Sequence, residues 1–265
     1  QYLMDLTEHA HRAKPGSAVI GEIWNYPTEW SPAVDGVMNF HVRELIQHLL
    51  SGETSPRLTG LRLERMVADT GIEPILKAWI VLDNHDTRRL KTLLPDNARR
   101  RVAQVLQFTL PGAPVLYYGT ELGMAGGDDP EQRAPMRWDL ANDKNDDLTW
   151  TKRLVATRKA LRALRIGDFK LIDTEKLLAF ARTTDRVADT VVVCVNPTDQ
   201  PIKEIVSTRV SSLMNWGPMT DRLDPNHTVP VQSGMIEASV PAHSVRLYVP
   251  ETTGWKGYTP YKRVP

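Results

Sequence analysis

Cysteine is nearly absent from this sequence, since Cys194 is the only one among 265 residues. An internal disulfide framework is therefore excluded. Cys194 lies within the apolar run 191–195, and no histidine stands near it in a site-like context. That context predicts a buried core residue and not a catalytic thiol.

Long apolar runs and a charge excess are missing as well. No stretch is long enough to cross a bilayer, and no secretory signal is recognisable. The formal net charge is +1, which is not the excess typical of proteins that bind nucleic acid or an anionic membrane. We therefore expect no nucleic acid and no membrane among the partners. A chain of this length is expected to form one large domain or two modest ones.

The first part of the chain alternates apolar runs with helical periodicity, which predicts parallel βα units. Strands are predicted at 18–21, 34–40 and 78–82, and helices at 2–10, 42–50, 61–70, 97–108 and 150–164. Three consecutive arginines, Arg99 to Arg101, are typical of a solvated helix face. The segment 123–148 is rich in Gly, Asp and Pro, which predicts a long functional loop.

Beyond Gly167 the pattern changes to short alternating runs that are separated by turn residues. These runs lie at 169–172, 177–182, 191–195, 235–240 and 244–248. They predict an antiparallel β-sandwich. The predicted domains are thus 1–166 and 167–250. An extension at 251–265, with Trp255, Tyr258 and Tyr261, shows no alternation and is expected to pack across a surface or a partner subunit.

Two acidic segments stand where apolar runs end. They are Gly21-Glu22-Ile23-Trp24 and Leu82-Asp83-Asn84-His85-Asp86-Thr87. Both would place their acids at the carboxyl ends of buried strands. In a (β/α)₈ barrel that end of the strands is the catalytic face.

These two segments resemble signature segments of the α-amylase family of glycoside hydrolases. Residues 108–121 resemble that family's eighth barrel strand and its approach. Residues 126–131, Arg133 and 136–139 resemble the cyclomaltodextrinase, neopullulanase and maltogenic amylase branch. The four segments occur in the family's order, between about Ser17 and Asp139. The resemblance implies the second half of a (β/α)₈ TIM barrel followed by an all-β antiparallel sandwich domain.

The family's nucleophile segment is missing from this sequence. In the family, an Asp-Gly-x-Arg-x-Asp segment at the end of the fourth strand precedes the glutamate segment, but nothing like it precedes Glu22. Four strands alone would leave open sheet edges, which aggregate. We therefore expect a preceding segment, separate or unrecorded, to supply the amino-terminal half of the barrel and the nucleophile. A self-sufficient protein with a rearranged core is the alternative. Localisation stays open for the same reason.

The resemblance implies that Glu22 is the general acid/base and that Asp86 stabilises the transition state. The residues expected to bind substrate are His85, Trp24, Asn84 and Tyr26. Of these, His85 is implied to donate to sugar hydroxyls, whereas Asn84 is expected, with Asp83, to orient its loop. Trp24 and Tyr26 offer flat faces for glucose rings, although packing beside the barrel is an equal alternative for Trp24. Arg133 and Trp138 are expected to hold the eighth loop.

The leading interpretation is the carboxyl half of a retaining α-glycosidase. It would hydrolyse cyclomaltodextrins, maltooligosaccharides or related α-glucans, also with transglycosylation, and would be inactive as this chain alone. A non-catalytic binding or interaction protein of the same fold is one alternative. A transglycosylase or isomerase resembling trehalose synthase is another. No cofactor and no metal are expected, and a homodimer stays open.

Overall fold

The computed structural model describes residues 1–254 and 257–258. The chain divides into two compact units. One comprises Gln1–Gln47, Arg65–Phe108 and Gly112–Ala156, and the other comprises His48–Glu64, Thr109–Pro111 and the described residues from Thr157 onwards. The domain limits proposed from the sequence stay a prediction. Among the described residues, no helix combines the length and the apolar character that crossing a membrane requires.

A four-stranded parallel sheet lies in the first unit. Its strands, in spatial order, are β1 (Ile20–Ile23), β2 (Gly36–Asn39), β3 (Trp79–Val81) and β4 (Ala113–Val115). The predicted parallel βα units are thereby confirmed. β1 begins later than predicted, so Glu22 lies within the strand and not after it. Glu22 is in register with Met38, and Met38 with Trp79.

Gly112 shows why a glycine precedes β4. Its φ of +131° is unfavourable for residues with a side chain. A Cβ atom at this position would also lie 2.9 Å from the Ala78 carbonyl oxygen. The close approach lets the Ala113 N–H donate to that same carbonyl over 2.7 Å, which fixes the start of β4 beside β3.

Eight α-helices occur in the described part of the chain. They are α1 (Tyr2–Ala13), α2 (Phe40–Ser51), α3 (Pro56–Thr70), α4 (Ile72–Lys77), α5 (Leu90–Leu93), α6 (Asn97–Thr109), α7 (Asp146–Ala160) and α8 (Arg162–Ile166). The helix predicted at 150–164 is in fact two helices that are separated at Leu161. The long loop before α7 contains 3₁₀ turns at Glu131–Arg133 and Trp138–Leu140.

Two helices begin earlier than apolar periodicity indicated because their first turns are capped. Ser55 Oγ accepts a hydrogen bond from the Leu58 N–H at the start of α3, and Pro56 suits the first helical position. Asn145 Oδ1 accepts from the Leu148 N–H at the start of α7. These polar signals lie outside the apolar stripe, so periodicity alone does not detect them.

The second unit holds two antiparallel sheets, which confirms the predicted β-sandwich class. The strands are β5 (Asp168–Ile172), β6 (Leu178–Thr183), β7 (Val191–Asn196), β8 (Ile202–Ser207), β9 (Pro218–Asp221), β10 (Asp224–Pro230), β11 (Met235–Val240) and β12 (Ser244–Pro250). One sheet has the order β10-β9-β12-β7-β6-β5, and β11 pairs with β8 in the other. The strands β8, β9 and β10 lie outside the predicted runs.

Cys194 is completely buried in the core of this unit, as predicted. Burial raises the pKa of its thiol, which is the opposite of what a nucleophilic cysteine requires. In the predicted extension 251–265, Trp255 and Tyr261 lie outside the described residues. Tyr258 is buried, and its hydroxyl oxygen accepts a hydrogen bond from the Met214 N–H over 3.0 Å.

Candidate active site

The two predicted acids belong to one parallel sheet, Glu22 to the strand β1 and Asp86 to the loop after β3. Glu22 is exposed on β1, and Asp86 follows the end of β3 by five residues. Because β2 separates β1 from β3, these strands lie about 10 Å apart, twice the spacing of neighbouring strands. The strands run in the same direction, and the register places Glu22 level with Trp79, the first residue of β3. That Glu22 and Asp86 meet in one cleft stays a prediction.

Asp86 is held from two sides. Its Oδ1 accepts a hydrogen bond from Arg133 Nη2 over 2.9 Å, and its Oδ2 lies 3.2 Å from His85 Nε2. The Asp86 N–H donates to Asn84 Oδ1 over 3.1 Å. All three charged or ionisable side chains are about half exposed. The carboxylate is therefore oriented by the protein and still accessible to a ligand.

Asn84 is buried, with 6% of its surface exposed. Its N–H donates to Thr87 Oγ1 over 3.0 Å, and its Oδ1 accepts from Asp86 as described. Its Nδ2 has no partner in the part of the chain that the structure describes. This side chain orients the loop, and its role in substrate binding stays a prediction.

Asp83 fixes the beginning of the loop after β3 through buried hydrogen bonds. Its Oδ2 accepts hydrogen bonds from the Leu90 N–H and from Thr120 Oγ1, each over 2.8 Å. Burial raises the pKa of the Asp83 carboxyl, against the lowering effect of these two donors. Asp83 is thus a loop anchor, as expected from the sequence.

Trp24 lies beyond β1 and stacks on Phe40, with ring centroids 3.9 Å apart and an interplanar angle of 10°. Its side chain is nevertheless 52% exposed. One face of the indole therefore packs on the protein. The packing alternative is realised for that face, and the sugar-binding role of the exposed part stays a prediction.

Tyr26 is engaged within the protein. Its hydroxyl donates to Asp69 Oδ2 over 3.2 Å, and its ring meets His41 edge to face at 5.0 Å. Partial burial, followed by the neighbouring Asp69 carboxylate, raises the pKa of Tyr26. These contacts anchor the loop after β1. The predicted contact of Tyr26 with substrate stays a prediction.

Arg133 and Gln132 are the site neighbours that sequence reasoning did not connect to the acids. Arg133 also contacts Asp129, with 3.0 Å between Nε and Oδ1. Gln132 is buried, and its Nε2 donates to the His85 carbonyl over 2.9 Å. Trp138, assigned to the same loop, is 74% exposed. No local pattern links positions 47 residues apart, so only the branch-like loop segment pointed toward this region.

A metal centre does not emerge from this geometry. Across residues 1–254 and 257–258, no three His, Cys, Asp or Glu side chains are arranged to hold an ion. The ionisable groups that the candidate site offers include the carboxyl groups of Glu22 on β1 and Asp86 after β3. One of these, Asp86, is flanked by a guanidinium and an imidazole. Such an arrangement can protonate a leaving group and stabilise positive charge.

Comparisons with known proteins identify the family and several similar proteins. A family model described as "Alpha amylase, catalytic domain" matches residues 1–165. Neopullulanase 2 of Thermoactinomyces vulgaris is 34% identical over 176 residues, which cover 64% of this chain and 30% of that protein. A cyclomaltodextrinase of Geobacillus thermopakistaniensis (strain MAS1) is 30% identical over 207 residues, or 76% of this chain and 35% of that protein.

A solved structure named cyclomaltodextrinase has a similar fold. It aligns with a TM-score of 0.80 at 24% identity and covers 94% of this chain and 43% of its own. The chain spans about a third of the length of the curated relatives named above.

Proposed function

This chain belongs to the alpha-amylase family, and we propose that it forms the carboxyl-terminal part of a retaining α-glycosidase. The observation that supports the proposal is that Glu22 lies on β1 and Asp86 in the loop after β3 of one parallel sheet, whose strands run in the same direction. Similarity to neopullulanase 2, to cyclomaltodextrinases and to an intracellular maltogenic amylase supports the substrate class. We propose cyclomaltodextrins, maltooligosaccharides or related α-glucans, cleaved at α-glucosidic bonds.

In the proposed reaction Glu22 donates a proton to the glycosidic oxygen as the bond breaks. A nucleophilic aspartate from a segment that precedes Gln1 attacks the sugar carbon, and Glu22 then removes a proton from the water that releases the sugar. Asp86 binds sugar hydroxyls and stabilises the developing oxocarbenium character. His85 donates to hydroxyls of the same sugar. Retention requires the acid and the nucleophile to lie about 5 to 5.5 Å apart.

The proposed partner is the amino-terminal half of the barrel. In the described sheet, β1 and β4 each pair on one side only, and unpaired strand edges favour further pairing. Strands from the preceding segment would pair there and close the barrel. We further propose that the barrel portion ends near residue 166 and that the β-sandwich extends to residue 250, with the extension 251–265 after it.

The proposal is tested with a longer polypeptide that joins this chain to the segment proposed to precede Gln1, and with maltoheptaose as substrate. Glu22→Gln is expected to lower kcat by about 10² to 10⁴-fold, because the proton donor is lost. Maltoheptaose affinity should change little, since the amide has nearly the same shape. Glu29→Gln, at an exposed glutamate near the same loop, is the matched control and should leave kcat unchanged.

Two results would contradict the proposal. One is full turnover in Glu22→Gln, which would remove the assigned acid. The other is hydrolysis of maltoheptaose by the 265-residue chain alone, which would refute an external nucleophile. If the longer polypeptide binds maltoheptaose without hydrolysing it, a non-catalytic binding protein becomes the better interpretation.

A further inference from the structure

Arg89 is a completely buried cation beside the candidate site. Its exposed fraction is 0%, and its guanidinium carbon lies 4.5 Å and 4.7 Å from the ring centroids of Tyr117 and Tyr118. Burying a guanidinium is costly. Its Nη2 is also buried without a partner among the described residues, which adds to the cost. Stability alone therefore does not explain an arginine at this position.

The contacts of Arg89 converge on the long loop after β4. Its Nε donates to the Gln132 carbonyl over 2.9 Å, and its backbone N–H donates to the Gly126 carbonyl over 3.0 Å. Its Nη1 donates to the Tyr118 carbonyl over 2.6 Å. The Arg89 side chain thus holds the Gln132 end of the segment 126–132 and joins it to the chain that leaves β4, whereas its backbone N–H holds the Gly126 end.

Gln132, the last residue of this segment, and Arg133, which follows it, both reach the candidate site. Gln132 donates its side-chain amide to the His85 carbonyl, and Arg133 donates to the Asp86 carboxylate. Both links span 47 residues of sequence. The orientation of His85 and Asp86 therefore depends on where the segment 126–133 is held.

We propose that Arg89 is a positioning residue for the site. Because it is fully buried, it does not touch the sugar. It holds the segment 126–133 so that Gln132 and Arg133 keep His85 and Asp86 in place. Its planar fork and flat stacking face suit this task, and a lysine would supply neither. The inference rests on the proposed function, in which Asp86 acts on the sugar.

The first test measures backbone hydrogen exchange in the longer polypeptide, and it does not depend on any activity. Arg89→Met should accelerate exchange in 126–133 and 85–87 by about tenfold or more, because these segments would open locally. Amides of β1 to β4 should keep their protection. The matched control is Arg137→Met, since Arg137 is exposed in the same loop and pairs locally with Asp139. It should leave both segments unchanged.

Arg89→Lys keeps the test decisive if the methionine variant does not fold. The lysine retains the charge but not the fork, so it should give an intermediate acceleration confined to the same segments. Unchanged protection of 126–133 in a folded Arg89 variant would overturn the proposal. So would an equal loss of protection across the strands, because Arg89 would then be a general core residue.

The second test measures kinetics in the longer polypeptide with maltoheptaose. Arg89→Met should lower kcat by about 10 to 100-fold, the size expected when a catalytic group shifts by about 1 Å. KM should stay within about threefold, since Arg89 makes no contact with substrate. The kcat of Arg89→Lys should lie between those of the wild type and Arg89→Met. The kcat of Arg137→Met should equal that of the wild type.

The two tests separate the possible failures. An unchanged kcat together with faster exchange would overturn the link from Arg89 to catalysis. If the wild-type polypeptide itself shows no turnover, the proposed function fails. The exchange measurements then still decide whether Arg89 holds the segment 126–133.

Discussion

Arg133 Nη2 donates to Asp86 Oδ1 over 2.9 Å. Because both side chains are about half exposed, water and salt screen this pair, and such pairs contribute about 0 to 1 kcal/mol to stability. The consequence of the contact is therefore geometric. It restricts the orientation of the one acid that His85 also contacts.

Arg133→Met is expected to disturb the orientation of the Asp86 carboxylate while changing the stability of the protein little. The free energy of unfolding should fall by less than about 1 kcal/mol, as for other exposed ion pairs, and urea denaturation measures it. In the longer polypeptide, kcat with maltoheptaose should fall by about tenfold or more, because Asp86 loses one of its two orienting partners. Arg12→Met, which removes an exposed pair with Glu8 on α1, is the control with unchanged kcat. Equal kcat in both variants would contradict the orienting role.

Asp83 predicts a specific pH dependence of stability. Burial raises the pKa of Asp83 above its ordinary value of 3.8. As the pH rises, the unfolded chain therefore loses this proton first, which favours unfolding. This loss of folding stability is absent well below pH 3.8, where Asp83 is protonated in both states, and complete above the raised pKa of the folded state. In Asp83→Asn it disappears, so raising the pH from about 3.5 to about 7 should shift the difference in unfolding free energy in favour of the variant.

Asp35 gives the opposite sign and serves as the control for this measurement. The Val19 N–H donates to Asp35 Oδ2 over 2.8 Å, and this donor, with His11, holds the pKa of Asp35 below 3.8. Its contribution is present above 3.8 and is lost as the pH falls through the lowered pKa. The unfolding free energy of Asp35→Asn should therefore fall further below that of the wild type as the pH rises. Urea unfolding over a pH range that also extends below the lowered pKa of Asp35 tests both variants. Parallel pH dependences of the unfolding free energy for the variants and the wild type would contradict both assignments.

Arg182 is the buried cation on which the second unit is expected to depend. It is 0% exposed, and it donates to the backbone carbonyls of Thr109, Leu164, Gly167 and Asp168. Arg182→Met leaves these acceptors without their donor, and each buried unpaired polar group costs about 1 to 3 kcal/mol. We expect a loss of at least about 2 kcal/mol in urea unfolding. Arg186→Met, at an exposed arginine, should change stability little. A similar midpoint for both variants would rule out this dependence.

Helix α6 illustrates how far local sequence goes. It was predicted at 97–108 and found at Asn97–Thr109, because its apolar stripe is regular and Asp96 Oδ1 caps the Arg99 N–H. The solvated face predicted for its arginines was wrong for Arg100. That side chain is buried and donates to Asp147 Oδ1 over 3.1 Å. The partner is 47 residues away, so no periodicity within α6 could indicate it.

The parallel βα units, the change to an antiparallel sandwich and the place of Asp86 after a strand could be predicted from neighbouring residues, whereas β8, β9 and β10 were missed. Each secondary-structure element has its own hydrophobic period, 2 residues in a strand and 3.6 in a helix, and is bounded by turn residues. These signals can therefore be recognised from neighbouring positions in the sequence. Only the tertiary structure shows that Arg133 holds Asp86, that Asp69 binds Tyr26 and that Arg89 is buried against two neighbouring tyrosine rings. Those contacts join segments that are far apart in the chain, and their geometry is determined by how whole helices, strands and loops pack together.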